Sequence, residues 1–295
     1  MERGTAVGGG SHRQWNSTEE VEGVERILVI ETMKHLDRTH ILTRIVEAKR
    51  KRLQVSRTRV PEAIVKRMAE TAKPVSSFRE ALGNEQRVRI IAEVKKTSPS
   101  KGVLREGLDP FALAGAYMKA GACAISVVTE EDFFQGDLGW INHIRSAASL
   151  PVLRKDFVWE PFQVYETRAA GASAILLITA MLELGELREL IALSNQLELD
   201  VLAEVHDETE LREALEAGAS IIGVNNRDLK TFDVSLDTSL HLGKLIPDDR
   251  LFVVESGIHK KDDVDLLLDA GADAFLIGEH LLTAPDPAAA LRALL

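Results

Sequence analysis

The sequence predicts an α/β fold, a closed (β/α)8 TIM barrel with an extra N-terminal helical segment. Short apolar runs typical of buried parallel strands alternate with amphipathic stretches over roughly 200 residues, which is the length of such a barrel. Charged residues stand at the ends of several of these runs. An open, doubly wound sheet would concentrate function at one switch point, so the spread of polar residues over most strands favours closure.

The predicted elements follow one another in a regular order. Strands are expected near residues 89–95, 123–128, 151–155, 173–178, 200–205, 220–224, 251–255 and 273–277. Amphipathic helices are expected around residues 110–120, 138–147, 161–170, 184–198, 208–217, 236–244, 261–270 and 286–294. Asp109 and Asp207 are suited to cap helices, and Pro110, Pro161 and Pro287 fit the first helical turn.

A repeated helix exit supports this order. Gly121, Gly171, Gly218 and Gly271 each lie between two alanines and precede a short apolar run. Glycine adopts the left-handed conformation that commonly ends a helix, so each of these positions predicts a helix followed directly by a strand. Recurrence of the unit indicates repeated βα architecture.

Three segments are expected along the chain. Residues 1–38 contain a glycine run and many polar residues, and they are predicted to be a disordered extension in which Met33 could be the natural start. Residues 39–87 are basic and helical, with an apolar stripe of Ile41, Leu42, Ile45 and Val46. We interpret them as a lid packed over the barrel rather than as a nucleic-acid contact. Residues 88–295 form the catalytic barrel.

The composition argues against nucleic-acid and membrane partners. The chain of 295 residues carries 36 basic and 46 acidic residues, a net charge of −10, which argues against bulk nucleic-acid binding. No apolar stretch approaches the roughly 20 residues that span a bilayer, so no membrane partner is expected. The single Cys123 excludes an internal disulfide and is typical of a reducing compartment, so a cytoplasmic location is expected.

The charged strand ends predict one polar pocket. Glu93 and Lys95 lie two residues apart in one strand, so their side chains share a face. Lys155 and Glu204 end two further strands. Because an unpaired buried charge is costly, these groups should pair or face a ligand at the carboxyl end of the sheet. This is the layout of an active site, whereas His206 is expected on the opposite face in a structural role.

An ordered set of motifs extends this picture. Residues 93–102 read Glu-Val-Lys-Lys-Thr-Ser-Pro-Ser-Lys-Gly, and further motifs occupy 133–136, 153–157, 203–206, 223–229 and 254–258. Over roughly residues 40–283 the chain resembles the indole-3-glycerol phosphate synthase family of tryptophan biosynthesis. The resemblance implies a barrel enzyme that closes the ring of 1-(2-carboxyphenylamino)-1-deoxyribulose 5-phosphate and then releases carbon dioxide and water. It implies a phosphorylated small-molecule substrate, with no cofactor, no metal and no obligate protein partner.

The resemblance also assigns catalytic roles. Lys155 matches the family's general acid, Glu204 its catalytic carboxylate and Lys95 its second lysine, while Glu93 is expected to orient Lys95. Which of Lys95 and Glu204 serves which dehydration step stays open. Two further polar residues complete the predicted catalytic set: Asn225 and Glu255.

Binding residues are assigned in the same way. The phosphate site is expected at Ser98, Ser256, Gly257, Gly278 and Glu279, where Glu279 offers its backbone N–H and turns its side chain away. Arg227 is expected either to bind the anthranilate carboxylate or to brace Glu204. An apolar slot for the aromatic ring is expected from Phe134, Phe157 and Leu229. Lys101 is interpreted as a solvated loop charge.

Two rival functions were weighed against this one. A phosphoribosylanthranilate isomerase would need an acid/base pair, typically of Cys and Asp, at strand ends, whereas Cys123 begins a strand and Lys155 ends one. A barrel that binds ligand without turnover would lack Lys155, Glu204 or Lys95, and all three are present.

Overall fold

The computed structural model describes Met1 and residues 41–99, 101–229 and 231–295. The predicted extension over residues 1–38 and the alternative start at Met33 therefore lie outside the described residues, apart from Met1.

Eight parallel strands close into a barrel, which confirms the predicted fold. They are β1 Ile90–Val94, β2 Ala124–Val128, β3 Val152–Lys155, β4 Ala174–Ile178, β5 Asp200–Val205, β6 Ile221–Asn225, β7 Leu251–Glu255 and β8 Ala274–Ile277. Each strand pairs in parallel with the next in the chain, and β8 pairs back with β1 through Phe275 and Ile90. The predicted strands agree with the observed ones to within about one residue at each end, as hydrophobic patterning allows for short buried strands.

Helices surround the barrel in the predicted order. The helices before β1 are α1 Ile41–Arg59, α2 Glu62–Glu70 and α3 Phe78–Leu82. Those that follow are α4 Pro110–Ala120, α5 Trp140–Ala147, α6 Pro161–Ala169, α7 Leu184–Gln196, α8 Glu208–Glu216, α9 Asp237–Leu242, α10 Lys261–Asp269, α11 Glu279–Thr283 and α12 Pro287–Arg292. Helix α11 was not predicted, nor were two 3-10 turns at Thr179–Met181 and Gly243–Leu245. A two-residue antiparallel pairing of Thr97–Ser98 with Gly102–Val103 was also missed.

Local chemistry explains where α4 begins and ends. The Asp109 carboxylate accepts hydrogen bonds from the backbone N–H groups of Phe111 and Ala112, which have no partner within the helix. Gly121 ends the helix with φ of +105°, a conformation that a residue with a Cβ adopts only at a cost. The chain then enters β2, whose five residues are all buried.

The basic helix α1 lies against the barrel, as its apolar stripe predicted. Leu42, Ile45 and Val46 are buried, and so is the charged side chain of Lys49. Among the described residues, no helix is both long and apolar enough to cross a membrane.

Candidate active site

A pocket of about 400 Å³ opens at the carboxyl ends of the strands. It brings together every residue that the sequence analysis assigned to catalysis or binding. These are Glu93, Lys95, Ser98, Phe134, Lys155, Phe157, Glu204, Asn225, Arg227, Leu229, Glu255, Ser256, Gly257, Gly278 and Glu279. Their roles remain predictions, but their convergence follows from strand alternation at one end of a parallel barrel.

Lys155 lies at the centre of the charged floor. Its Nζ donates hydrogen bonds to Oε2 of Glu204 at 3.0 Å and to Oε2 of Glu255 at 2.6 Å. The side chains of Glu204 and Glu255 are only 3% and 2% exposed, while that of Lys155 is 20% exposed. Both carboxylates are therefore sheltered from water, and the ammonium group is the part of the triad that faces the pocket.

Burial and neighbouring charges shift the pKa values of these groups in opposite directions. Burial disfavours the charged form of Lys155, but the carboxylates of Glu204, Glu255 and Glu93 outweigh it and raise the pKa of Lys155. Burial would likewise raise the pKa of Glu204, but Lys155 and then His206 and Asn225 hold that pKa well below its usual range. The free pocket therefore holds a charged lysine beside an ionised carboxylate.

Glu255 is the carboxyl group of this triad whose pKa is raised. Burial, together with the charges of Glu204 and Glu93, raises the pKa of Glu255 to about 7, although Lys155 acts in the opposite direction. Its Oε1 has no hydrogen-bond partner. One lysine cannot compensate two buried carboxylates equally, so Glu255 titrates near neutrality.

Lys95 and Glu93 form a second pair in the same pocket. Lys95 Nζ lies 2.5 Å from Oε1 of Glu93, whose side chain is 3% exposed. Gly278 makes room for this carboxylate, because a Cβ at residue 278 would overlap the Glu93 carboxyl group. Gly278 thus supports the Glu93–Lys95 pair as well as lying in the predicted phosphate site.

Asn225 links the charged floor to the loop after β7. Its Nδ2 donates to Oε1 of Glu204 at 3.1 Å, and its Oδ1 accepts from Ser256 Oγ at 2.8 Å and from the backbone N–H of Arg227 at 3.1 Å. Ser256 and Gly257 both have positive φ, +66° and +81°, so the loop turns sharply at the pocket. Asn225 therefore orients the Glu204 carboxylate while itself lining the pocket.

The expectation about the side chain of Glu279 and one of the two alternatives for Arg227 need correction. Glu279 does not turn its side chain away from the pocket, because its carboxylate lies 2.6 Å from Lys101 Nζ and 3.3 Å from Arg227 Nη2. The Arg227 side chain is thus paired with Glu279, and Asn225 rather than Arg227 hydrogen-bonds to Glu204. Binding of the anthranilate carboxylate by Arg227 stays a prediction. Lys101 lines the pocket and pairs with Glu279, but its side chain is 56% exposed, as expected for a solvated loop charge. Attraction between loops that follow different strands is not visible in local sequence.

An apolar wall faces the charged floor. The rings of Phe134 and Phe157 lie 6.1 Å apart between centroids at an angle of 39°, and Leu229 lines the same pocket. The sequence analysis did not name the pocket-lining contributions of Ile41, Leu42 and Ile45 from α1, although their stripe indicated a packed face. An aromatic substrate ring fits such a wall.

His206 is placed differently from the prediction. It lies on the same side as Glu204, with Nε2 3.3 Å from Glu204 Oε1, because residues 204 and 206 are two apart and the alternation continues past the end of β5. Its Nδ1 lies 2.9 Å from Oε2 of Glu210. Burial opposes a charge on this ring, but the carboxylates of Glu204 and Glu210 raise the pKa of His206 to about 10.

A buried ionic cluster behind Lys155 was also missed. Lys49 of α1 reaches Oδ2 of Asp156 at 2.8 Å, and Arg154 donates to the same oxygen at 2.9 Å. Burial works against ionisation of Asp156, but Lys49 and Arg154 hold its pKa at about 2. Because Asp156 directly follows Lys155 in the chain, this cluster connects α1 to the end of β3.

Cys123 lies outside the pocket and supplies no competing nucleophile there. Cys123 is buried at the amino end of β2, and burial raises the pKa of its thiol to about 12, which argues against a nucleophile or acid there. Within the described ranges, no group of three or more His, Cys, Asp or Glu side chains is placed to hold a metal ion.

Comparison with known proteins agrees with the motifs. A family model described as indole-3-glycerol phosphate synthase matches residues 42–294. An indole-3-glycerol phosphate synthase of Carboxydothermus hydrogenoformans is 45% identical over 261 residues, covering 86% of this chain and 99% of the relative. One of a Roseiflexus species is 48% identical over 262 residues, covering 86% and 97%.

Solved structures support the fold alone. A thiamine phosphate pyrophosphorylase from Pyrococcus furiosus superposes with a TM-score of 0.55 at 16% identity, covering 70% of this chain and 94% of that one. A 3-hexulose-6-phosphate synthase from Salmonella typhimurium gives 0.54 at 15% identity, covering 70% and 96%.

Proposed function

The chain belongs to the indole-3-glycerol phosphate synthase family, and we propose that Lys155 and Glu204 are the acid and base of its reaction. The enzyme converts 1-(2-carboxyphenylamino)-1-deoxyribulose 5-phosphate into indole-3-glycerol phosphate, carbon dioxide and water in tryptophan biosynthesis. The observation that carries the proposal is the hydrogen-bonded triad of Lys155, Glu204 and Glu255 at the pocket floor.

Ring closure is assigned to Lys155. Attack of the aromatic carbon on the ketone places negative charge on the ketone oxygen, which a positioned acid neutralises. The ammonium group of Lys155 is charged in the free pocket and faces its opening. Proton transfer from Lys155 to the oxygen also removes the cation that lowers the pKa values of Glu204 and Glu255.

Dehydration is assigned to Glu204 and Lys95. After carbon dioxide leaves, the hydroxyl group departs as water and a hydrogen is lost from the carbon next to nitrogen. Glu204 accepts that hydrogen as a proton, since Asn225 and His206 hold its carboxylate in place. Lys95, paired with Glu93 within the same pocket, delivers the proton to the departing hydroxyl.

Substrate orientation follows from the two ends of the pocket. The aromatic ring packs against Phe134, Phe157 and Leu229, and the phosphate occupies the opposite end. Ser98, Ser256, Gly257 and Gly278 provide hydroxyl and backbone N–H donors at that end. Lys101 and Arg227, which both pair with Glu279, supply positive charge beside the phosphate.

We also assign the enzyme to the cytoplasm with a phosphorylated small molecule as its partner. A free, buried Cys123 suits a reducing compartment, and the net charge of −10 argues against nucleic acid.

One experiment tests the proposed function directly. Purified protein is mixed with the substrate while indole fluorescence is followed, with Lys155→Ala and Glu204→Gln as the test variants. The proposal expects product from the parent and a fall in kcat of roughly 10²-fold or more in each variant. Product formation at the parental rate in either variant would remove that residue from the chemistry.

A further inference from the structure

His206 lies behind the catalytic carboxylate rather than in the pocket. Its ring nitrogen Nε2 is 3.3 Å from Oε1 of Glu204, an ionic contact that lacks hydrogen-bond geometry in the free enzyme, and its Nδ1 is hydrogen-bonded to Oε2 of Glu210 at 2.9 Å. Glu204 lines the pocket, whereas His206 and Glu210 do not. The three side chains therefore form a row that starts at the reacting centre and leads away from it.

This row runs outward toward solvent. The side chain of Glu204 is 3% exposed, that of His206 is 14% exposed and that of Glu210 is 17% exposed. Glu210 is held in the first turn of α8, where its Oε2 also accepts the backbone N–H of His206 at 2.8 Å. One carboxylate oxygen thus fixes both the backbone and the ring of His206.

The reaction requires such a route for a proton. Protonation of the ketone oxygen consumes one proton, and departure of the hydroxyl group as water consumes a second. Loss of carbon dioxide leaves its bonding electrons in the ring and involves no proton, while loss of hydrogen from the carbon beside nitrogen returns one. With the substrate carboxylate ionised at the start, each turnover therefore takes up one net proton from solvent, while the side chain of Glu204 is 3% exposed and that of Lys155 is 20% exposed.

We propose that His206 is a positioning and proton-relay residue that passes this proton from solvent to Glu204 and through it to Lys155. The inference rests on the proposed roles of Lys155 and Glu204. In the free enzyme His206 is protonated and Glu204 is ionised. Once Lys155 has given up its proton, Glu204 has lost its principal counter-ion, so it takes the Nε2 proton of His206 and hands it to Lys155 across their 3.0 Å hydrogen bond. His206 then regains a proton from solvent on the side of Glu210. When the product leaves, Glu204 releases the proton taken from carbon and Lys95, whose side chain is 15% exposed, takes one up, so these two cancel and the net proton of each turnover is the one supplied through His206.

The groups around the His206 ring favour its protonated form. The titratable groups that face His206 are Glu204 and Glu210, both acidic, and they outweigh burial in raising its pKa. A carboxylate in the first turn of α8 is further stabilised by the positive end of the helix, which keeps Glu210 suited to orient the imidazolium.

The test uses His206→Ala, which removes the relay and opens a partly exposed gap that added imidazole can enter. We expect kcat to fall roughly ten- to hundredfold in a weakly buffering solution while KM changes by less than about threefold, because His206 does not line the pocket. Imidazole should restore kcat in a concentration-dependent way. His206→Gln keeps a hydrogen-bond donor but cannot carry a proton, so it should lose kcat without recovery.

A matched control is His241→Ala, since His241 Nε2 lies 2.7 Å from Oε1 of Glu208 on the exposed surface of a neighbouring helix. Its kcat should stay parental with and without imidazole. Glu210→Gln retains the ring but weakens its outer partner, and it should show a smaller fall in kcat.

Parental kcat in both His206 variants, or a fall that imidazole leaves unchanged in His206→Ala, would overturn the relay. If Lys155→Ala proves inactive while His206→Ala is parental, only the relay fails. If Lys155→Ala retains turnover, the proposed function itself fails.

Discussion

Lys155 Nζ lies 3.0 Å from Oε2 of Glu204, so the proposed acid and base are hydrogen-bonded to each other before any substrate arrives. Each holds the other in its charged form, against the cost of burial. Proton transfer out of Lys155 therefore changes the proton affinity of Glu204 in the same step, which ties the first chemical event to the later ones.

Replacing Lys155 by alanine should abolish most turnover without unfolding the barrel. Glu204 keeps Asn225 and His206 as partners, and Glu255 can take up a proton, so the remaining carboxyl groups are not left as uncompensated charges. We expect a fall in kcat of about 10²–10³-fold or more. Steady-state kinetics and thermal melting check this, and near-parental kcat would contradict the assignment.

Lys49→Met should weaken the docking of α1 far more than loss of a surface pair would. Lys49 is 3% exposed and lies 2.8 Å from the fully buried Asp156 carboxylate, so its removal should lower the free energy of unfolding by about 3 kcal/mol. Arg52→Met is the matched control, because the Arg52–Asp132 pair on the same helix is half exposed and should be worth at most about 1 kcal/mol. Urea unfolding measures both, and equal losses would show that the buried cluster does not secure α1.

The charge on His206 should make stability depend on pH. Its folded-state pKa is raised from 6.5 to about 10, so the stabilisation is fully present below pH 6.5 and is lost as the pH rises through about 10. The advantage of the parent over His206→Gln should therefore shrink by roughly 2 kcal/mol or more across that window, since each pKa unit corresponds to about 1.4 kcal/mol. Urea midpoints of both proteins, measured along the window, give this difference. A constant difference would mean that His206 is not held protonated by Glu204 and Glu210.

Gly278→Ala should disturb the Glu93–Lys95 pair rather than the fold. The added Cβ would overlap the Glu93 carboxyl group, which must then move relative to Lys95. We expect kcat to fall by roughly tenfold, as for a loss of acid–base positioning. Gly115→Ala within α4 is the control, because a Cβ there meets nothing within 4 Å, and it should leave kcat unchanged. Parental kcat in Gly278→Ala would indicate that the glycine is not needed for the pair.

The order of the barrel could be predicted because local chemistry determines it. Exits such as Ala120-Gly121-Ala122 mark the point where a helix must turn into a strand, and Gly121 adopts the required positive φ. The pocket residues at strand ends could be predicted for a similar reason, since a parallel barrel brings all carboxyl ends to one face.

Contacts between distant elements could not be predicted in this way. The partner of Lys49 is Asp156, 107 positions away, and the partners of Glu279 come from two other loops. His206 is a different case, because simple alternation places residues 204 and 206 on one side, and the opposite expectation was wrong.

The division of labour between Lys95 and Lys155 is the central claim, and it can be resolved in single turnovers. Lys155→Ala should release neither carbon dioxide nor indole product at an appreciable rate. Lys95→Ala should still close the ring, because Lys155 keeps its partners Glu204 and Glu255, but its indole product should lag. Glu93→Gln should reproduce the lag more weakly, since it removes the charged partner of Lys95.

The most direct measurement follows carbon dioxide release and indole fluorescence separately in one turnover of Lys95→Ala. The proposed roles predict that carbon dioxide appears at close to the parental rate while indole fluorescence rises at least about tenfold more slowly. Parallel slowing of the two signals would instead assign Lys95 to binding or to the first step, and would contradict this division of roles.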